Sequence, residues 1–505
     1  MLKNQITYSN TFSIIFIIGF IFLLLNLGPS YLLFDKLQVV TIYTLNLISI
    51  FHYLNIEDKK KLLPLFQMLL IYFFFSCTLV FFFRDFEYDL FTSPLQKEIL
   101  FENMQFKITE VDLKRPLLRD TRNILITGLL FLNVGYFFSL HFFKKKREGF
   151  NALYIKNENN FIFLGILVFI FFVLSFIIFK LDDYIPGFSQ AKYPMIYSSM
   201  IMLFLGILIS KNNIFINLLY AMPIFFMIYF HVTNGIYGLP FKLIIILVIL
   251  FIFIKKRVPI IFSTVLLLLF LVLHSIKYDV RAVNRFEGPK FDRKIAFINI
   301  LKKKLSSTGV QSFSTKLVKS DKLELRRTLE RVVHNYQSLI IINDQHEFTN
   351  FDTPALYLNG STYKILLSKL IPRIFWKNKP SDTSGNEMGR YYNMLIPSDL
   401  KTSWNFPVLN EFYGNFNLKG VIIGMFLLGA IFRYLSYNFF VSKIHNAEFI
   451  IAFSLILPLW YLESHLSLLI GALIQQYILL IFGFYLYSKF QIIYLKITSN
   501  EKSIC

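Results

Sequence analysis

Residues 161–179 read FIFLGILVFIFFVLSFIIF, a run of 19 residues without a charge. A helix of about 20 apolar residues spans the hydrocarbon core of a bilayer, which is about 30 Å thick, because each residue adds about 1.5 Å. This run therefore predicts a membrane-spanning helix. The rest of the chain has the same character, since 55% of its 505 residues are hydrophobic and only 16% are charged. That composition excludes a soluble enzyme, a disordered chain and a disulfide-stapled secreted domain.

The same length criterion predicts twelve membrane-spanning helices in an all-α polytopic protein. They are residues 11–29, 37–54, 62–83, 123–143, 161–179, 195–210, 214–231, 239–254, 258–276, 418–435, 447–463 and 467–488.

Basic residues cluster in alternate connections between these helices. The connections contain Lys59–Lys61, Lys144–Arg147, Lys211, Lys255–Arg257 and Lys443, and the C-terminal tail contains Lys489 and Lys496. Short loops rich in Lys and Arg stay in the cytoplasm. The sequence therefore predicts a multi-pass protein of the cytoplasmic (inner) membrane with both termini in the cytoplasm.

This topology divides the chain into three parts. Residues 1–276 carry helices 1–9 and an outer loop over 84–121, residues 277–416 form a large extracytoplasmic (periplasmic) loop, and residues 417–505 carry helices 10–12 and the cytoplasmic tail. An amphipathic helix is expected in the large loop, because apolar residues recur there at steps of three and four, with basic residues on the remaining face at the level of the lipid headgroups. The apolar positions are Leu325, Leu329, Val332, Tyr336 and Leu339.

The large loop carries a surplus of positive charge that orientation does not require. Its 22 Lys and Arg residues exceed its 13 Asp and Glu residues by nine, and long translocated loops do not follow the positive-inside rule. The surplus favours an anionic partner, such as lipid headgroups, a phosphate or pyrophosphate, or an acidic polymer; nucleic acid is not expected. The simpler alternative is a solvated basic surface that touches anionic membrane lipids.

Two motifs close the large loop. Residues 370–380 read LIPRIFWKNKP, and residues 410–416 read NEFYGNF, with glycines in the interval between them. Pro372 is expected to end the helix before it and to leave Arg373 at a corner of the chain. Glu411 precedes the tenth helix closely, where a carboxylate is costly unless it is paired or functional.

The pattern I-P-R-x-x-W-x-x-K-P, a Gly-rich interval and E-x-Y-x-N-F resembles the O-antigen polymerases, the Wzy-type oligosaccharide repeat-unit polymerases, over about residues 355–435. The resemblance implies a GT-C-like bundle of about 12 helices. It also implies a membrane glycosyltransferase, without metal or cofactor, that joins undecaprenyl-pyrophosphate-linked oligosaccharides into O-antigen or a related surface polysaccharide. A flippase and a chain-length regulator would be its protein partners.

The resemblance and the chemistry of the residues together suggest roles for individual side chains. Arg373 is expected to clamp the pyrophosphate leaving group, and Glu411, or else His465, is expected to act as the general base. The expected substrate-binding residues are Arg281, Arg285, Lys379, Arg390, Trp376, Tyr413 and Asn415. Structural alternatives are headgroup contacts or ion pairs for the arginines, a cap or salt bridge for Glu411, and a solvated interfacial position for His465.

Other functions remain open at this level. An O-antigen ligase would use the same lipid donor but transfer the glycan to lipid-A core, and a transporter or flippase would move the lipid-linked sugar instead. The acidic groups Asp85, Glu87 and Asp89, and the pair Asp182–Asp183, are possible metal ligands, but solvated loop ends are the favoured interpretation because no histidine accompanies them.

Overall fold

A computed structural model describes most of the predicted helices. It covers residues 17–27, 31–55, 65–83, 86–89, 115–140, 158–184, 188–210, 213–233, 332–347, 357–369, 382–395, 397–400, 402–439 and 464–501, together with 142, 243–244, 246–248, 250–251, 254, 371, 376, 378–380, 450 and 454. Within these residues the chain is all-helical and contains no β-strand.

Fourteen helices are used below, numbered in chain order. They are α1 (Ile17–Asn26), α2 (Leu33–Asn55), α3 (Leu65–Phe73), α4 (Phe86–Asp89), α5 (Arg115–Phe138), α6 (Glu158–Phe172), α7 (Leu181–Tyr184), α8 (Lys192–Ile209), α9 (Ile214–Thr233), α10 (His334–Glu347), α11 (Leu366–Lys369), α12 (Ser384–Tyr391), α13 (Val408–Phe439) and α14 (Leu466–Glu501). Helix α3 continues as wider and then tighter turns to Phe82, and α6 continues as wider turns to Ile178.

Eight helical segments in the described part of the chain are long and apolar enough to cross a membrane. They are Leu33–Tyr53, Leu65–Phe82, Pro116–Phe138, Phe161–Ile178, Lys192–Ile209, Phe215–Val232, Val408–Ser436 and Leu466–Tyr485. Each overlaps one of the twelve predicted spans, so the prediction of a helical membrane protein is confirmed. Of the other four, residues 11–29 include the short apolar helix α1, while 239–254, 258–276 and 447–463 lie largely or wholly outside the described residues.

The outward faces of several helices are apolar. Helix α9 exposes Phe215, Leu218, Met222 and Phe225, each with more than half of its surface accessible. A soluble monomer rarely exposes a contiguous apolar surface of this kind, whereas hydrocarbon tails are a suitable solvent for it. The arrangement is that of helices packed on one side and facing lipid on the other.

Helices α5 and α13 run parallel and approach each other at glycines. A Cβ atom on Gly135 would overlap the carbonyl oxygen of Phe426, and one on Gly429 would overlap that of Leu132. Small residues allow two helix backbones to come this close in a membrane protein, where van der Waals packing drives association. The close contact fixes α13, which carries the second sequence motif, against the bundle.

Helix α13 consists of two arms. Phe416 and Asn417 have non-helical backbone angles, and Asn417 lies in the left-handed region with φ of 55°. The arm over 408–415 folds back on the arm that follows, so that the ring of Phe412 covers Gly424. The break coincides with the boundary that hydropathy predicts, because the predicted tenth span begins at residue 418.

Helix α10, in the predicted large loop, is enclosed by protein. Its polar residues Asn335, Gln337, Asn343 and Asp344 are as buried as its apolar ones. Polar partners take the place of water there: Asn343 donates to the Thr121 hydroxyl at 3.1 Å, and Asn410 donates to the carbonyl of Asn335 at 2.9 Å. The basic residues expected at the headgroup level, Arg326, Arg327 and Arg331, lie outside the described residues.

A fully buried arginine connects α10 to the bundle. Arg122 Nη2 lies 3.1 Å from Asp35 Oδ1, and Arg122 Nε lies 3.7 Å from Glu87 Oε1, with no side-chain exposure at any of the three residues. The hydroxyl of Tyr336 in α10 donates to Glu87. Burial raises the pKa of Glu87, although Arg122 and Tyr336 oppose this effect. The contacts place the starts of α2 and α5, the short helix α4 and α10 at the same end of the bundle.

Candidate functional site

The start of α14 binds a buried carboxylate from α13. Glu411 is completely buried, and its Oε2 accepts the backbone N–H of Leu466 at 2.6 Å. The first N–H groups of a helix have no partner within the helix, and its N-terminus carries a partial positive charge. Glu411 therefore satisfies one of these donors with a favourable charge, although it lies 55 positions away in sequence.

The first arm of α13 is held in place by an asparagine. Asn415 Nδ2 donates to the Glu411 carbonyl at 2.8 Å and to the Thr362 hydroxyl at 2.9 Å, while its Oδ1 accepts the N–H of Gly360 at 2.9 Å. Gly360 has φ of +80°, which suits a residue without a side chain. The Thr362 hydroxyl also interacts with the Glu411 carboxylate. The motif at 410–416 is thus joined to the turn at 358–363.

A second carboxylate, Asp382, meets the start of α14 from the other side. Its Oδ1 lies 3.1 Å from His465 Nε2, and its Oδ2 lies 2.8 Å from Lys369 Nζ and accepts the Ser467 hydroxyl at 2.6 Å. His465 is 1% exposed and precedes the first residue of α14. We call Lys369, Asp382, Glu411, His465 and Ser467 the α14 cluster.

The charges of the α14 cluster keep Asp382 ionised. Burial opposes ionisation, but His465, Lys369 and Ser467 outweigh it, so the pKa of the Asp382 carboxyl lies well below its usual value. A carboxyl with a lowered pKa in the folded state contributes stability above its unfolded-state pKa of about 4 and loses that contribution as the pH falls further.

The lowered pKa of Asp382 predicts how the stability of the variant Asp382→Asn responds to acid. At pH 7 the variant should unfold at a lower temperature than the wild type, because the ionised carboxylate is lost. The difference should shrink progressively below about pH 4, where the unfolded wild-type chain takes up the proton. Thermal unfolding of both proteins in detergent between pH 7 and pH 3 measures it, and a difference that stays constant over this range would contradict the assignment.

The structure brings together three of the predicted site residues, Glu411, Asn415 and His465. Lys379 is buried, and its Nζ donates to the carbonyl of Ile371 at 2.8 Å. Trp376 is 38% exposed. Of these two predicted substrate-binding residues, the lysine is therefore inside the protein and the tryptophan lies at the surface.

Two other predicted residues belong to neighbouring contacts. Arg390 in α12 donates from Nε to Asn386 Oδ1 at 2.9 Å within its own helix. The hydroxyl of Tyr413 donates to Asn343 Oδ1 in α10 at 2.8 Å, on the opposite face of the arm from Asn415. The second of these contacts connects α13 with α10. Arg281, Arg285 and Arg373 lie outside the described residues.

Sequence reasoning missed Asp382 and Lys369. Asp382 follows the I-P-R-x-x-W-x-x-K-P motif by two residues, and its position directly after the motif is the only local signal. The ion pair with Lys369 spans 13 positions without helical or strand periodicity. Such a contact depends on loop closure, which a pattern of residue types does not specify.

Neither predicted acidic spot forms a metal site in the described part of the chain. No group of three or more His, Cys, Asp or Glu side chains there is arranged to hold a metal ion. Glu87 faces Arg122 instead, and Asp182 and Asp183 lie in the short helix α7 at the protein surface. Asp85 lies outside the described residues.

Comparisons with protein-family models, with curated proteins and with solved structures found no match to this chain.

Proposed function

We propose that this protein is a glycosyltransferase of the cytoplasmic membrane that polymerises undecaprenyl-pyrophosphate-linked oligosaccharide units on the outer face. The proposal includes twelve membrane-spanning helices in a GT-C-like bundle, with both termini in the cytoplasm and residues 277–416 outside. A flippase that supplies the substrate and a chain-length regulator would be its partners.

One observation supports this proposal above the others. Glu411 and His465, the two candidate bases, come from segments 54 positions apart and converge on the start of α14. Buried ionisable groups near a membrane are costly, so a cluster of four of them, from four separate segments, is more typical of a functional site than of a solvated surface. The surplus of nine positive charges in residues 277–416 is compatible with a pyrophosphate-bearing substrate.

The proposed reaction needs a base and a stabiliser of the leaving group. The hydroxyl of the acceptor sugar attacks the anomeric carbon of the donor, its proton passes to the base, and the bond from that carbon to the pyrophosphate oxygen breaks with its electron pair. Undecaprenyl pyrophosphate leaves with an additional negative charge. Arg373 is proposed to stabilise that charge, an effect worth about 10²–10³ in rate when a single positioned donor is removed.

Replacing Arg373 tests the proposal in a strain that depends on this protein. The variant Arg373→Ala should make no long polysaccharide but retain single capped repeat units, while membrane insertion stays normal. Electrophoresis of the surface polysaccharide measures chain length, and immunoblotting of membranes measures the amount of inserted protein. Lys364→Ala is the matched control, because it removes one exposed positive charge from the same segment, and it should leave chain length unchanged.

The other outcomes separate the alternatives. Normal chain lengths in the Arg373→Ala strain would contradict the proposal that Arg373 stabilises the pyrophosphate leaving group. A total loss of capped lipid-A would favour a ligase. Purified protein in liposomes provides a second test: it should lengthen the lipid-linked glycan and release undecaprenyl pyrophosphate. Translocation of the lipid-linked sugar without chain growth would instead indicate a transporter.

A further inference from the structure

We infer that Asp382 is a positioning residue, which orients the His465 imidazole as the general base at the start of α14. The catalytic part of this inference rests on the proposed function, whereas the contacts that carry it do not. Sequence motifs do not mark Asp382, and its importance follows from the way its two oxygens are used.

The two carboxylate oxygens of Asp382 have different partners. Oδ1 faces His465 Nε2 at 3.1 Å, while Oδ2 is occupied by Lys369 at 2.8 Å and by the Ser467 hydroxyl at 2.6 Å. Lys369 and Ser467 therefore fix the plane of the carboxylate, and only the remaining oxygen faces the histidine. A carboxylate held in this way selects the tautomer with its proton on Nε2 and stabilises the charged imidazolium.

A glycine of the predicted Gly-rich interval, Gly385, packs beside the imidazole of His465. A Cβ atom on Gly385 would lie 3.6 Å from His465 Cε1 and would overlap the Ser403 hydroxyl. Neither ring nitrogen of His465 makes a hydrogen bond among the described residues, although the ring is almost fully buried; Nε2 has the ion-pair contact with Asp382 at 3.1 Å, and Nδ1 has no such contact. With Nε2 facing Asp382, Nδ1 is the nitrogen that can accept the proton of the acceptor hydroxyl.

Each candidate base has an atom without a hydrogen-bond partner among the described residues, Oε1 of Glu411 and Nδ1 of His465. Glu411 stabilises the helix start through Oε2, and we take His465 as the base because Asp382 faces its other nitrogen and would stabilise the imidazolium that forms. In the transfer step the hydroxyl proton goes to His465 Nδ1, the new glycosidic bond forms, and the pyrophosphate leaves with the electrons of the broken bond. Asp382 keeps its charge throughout.

The kinetic test uses the full-length protein in liposomes with a lipid-linked repeat unit. Asp382→Asn should lower kcat by about 10–100-fold, the usual effect of removing a partner that orients a functional histidine, with little change in KM. Asp382→Glu should restore part of the rate. Asp399→Asn, the same chemical change at an exposed turn where the carboxylate accepts the N–H of Thr402, should leave the rate unchanged.

A double-mutant cycle distinguishes orientation from general structure. His465→Ala should lower kcat by about 10²–10⁴-fold, and adding Asp382→Asn to it should have almost no further effect, because the carboxylate then has no imidazole to orient. Additive losses, or a loss confined to KM, would overturn the inference.

A chemical measurement keeps this inference separate from the proposed function. Modification of His465 by diethyl pyrocarbonate, followed by mass spectrometry, should be slow in the wild type and several-fold faster in Asp382→Asn. An unchanged rate would overturn the positioning role whatever the enzyme does. Absence of glycan transfer by the wild type, with the faster modification observed, would instead reject the proposed function alone.

Discussion

Replacing Arg122 by alanine is expected to destabilise the folded protein by about 3–5 kcal/mol, the cost of removing one partner from a buried ion pair. Arg122 is the only described cation that contacts Asp35 and Glu87, and all three side chains are inaccessible to solvent. Without it, two carboxylates would share a buried region. One of them would have to take up a proton, or the region would have to open to water.

The expected loss of stability extends to α10. Glu87 accepts a hydrogen bond from Tyr336, so a displaced Glu87 removes one attachment of this helix. The temperature and the detergent concentration at which the purified protein unfolds measure the effect. Limited proteolysis should also cut near α10 earlier in Arg122→Ala than in the wild type.

Arg119→Ala is the matched control for Arg122→Ala. Arg119 lies almost one turn earlier on α5, is partly exposed and stacks over the ring of Phe34 at 5.1 Å, so its removal should cost about 0.5–1 kcal/mol. Equal losses of stability in the two variants would show that the buried ion pairs of Arg122 with Asp35 and Glu87 stabilise the protein no more than one partly exposed contact does. In a second control, Glu87→Gln should be close to neutral, since Asp35 still balances Arg122 and the amide oxygen can still accept from Tyr336.

Replacing Gly135 by leucine is the second change with a large expected effect. The new side chain would overlap the backbone of Phe426, and backbone cannot turn away as a flexible side chain can. Helices α5 and α13 would have to separate, at a cost of about 1–3 kcal/mol or more, as in other overpacked interiors. Because α13 carries Glu411, the proposed glycan transfer should fall together with stability.

Gly483→Leu provides the comparison for this prediction. Among the described residues nothing lies within 4 Å of a Cβ atom on Gly483, which is part of the span Leu466–Tyr485. The same substitution should therefore leave the unfolding temperature unchanged or raise it slightly, because leucine favours a helix more than glycine does. If Gly135→Leu were tolerated as well as Gly483→Leu, the close packing of α5 against α13 would be wrong.

Hydropathy predicted where the membrane-spanning helices lie better than it predicted the polar helical segments beside them and their contacts. The run over 161–179 and the span Phe161–Ile178 agree to within one residue. The predicted start at residue 418 likewise agrees with the second arm of α13. The first arm, 408–415, was read as part of a loop, since its Asn and Glu residues interrupt the apolar run. Hydropathy also does not show that the polar residues of α10 face protein, where Asn343 contacts Thr121 and Tyr413.

The candidate site was predicted in part. Glu411, Asn415 and His465 were recognised because a polar group at the end of an apolar span is costly and therefore conspicuous. Asp382 lies in a polar stretch after the first motif, and Lys369 is a single charge in the apolar stretch before it, so neither belongs to a predicted pattern. Lys379 was predicted to bind the substrate, and only the tertiary structure shows that its ammonium donates to the carbonyl of Ile371.

The sequence by itself determined the class of the protein and the positions of its spans, because insertion into a bilayer depends on the length and polarity of one continuous segment. Only the tertiary structure decided which charges meet. Arg122 with Glu87, and Asp382 with His465, are pairs of residues 35 and 83 positions apart, and no local rule relates them. A buried charge is stable only beside its partner, and that partner is selected by helix packing, which small residues such as Gly135 and Gly429 control.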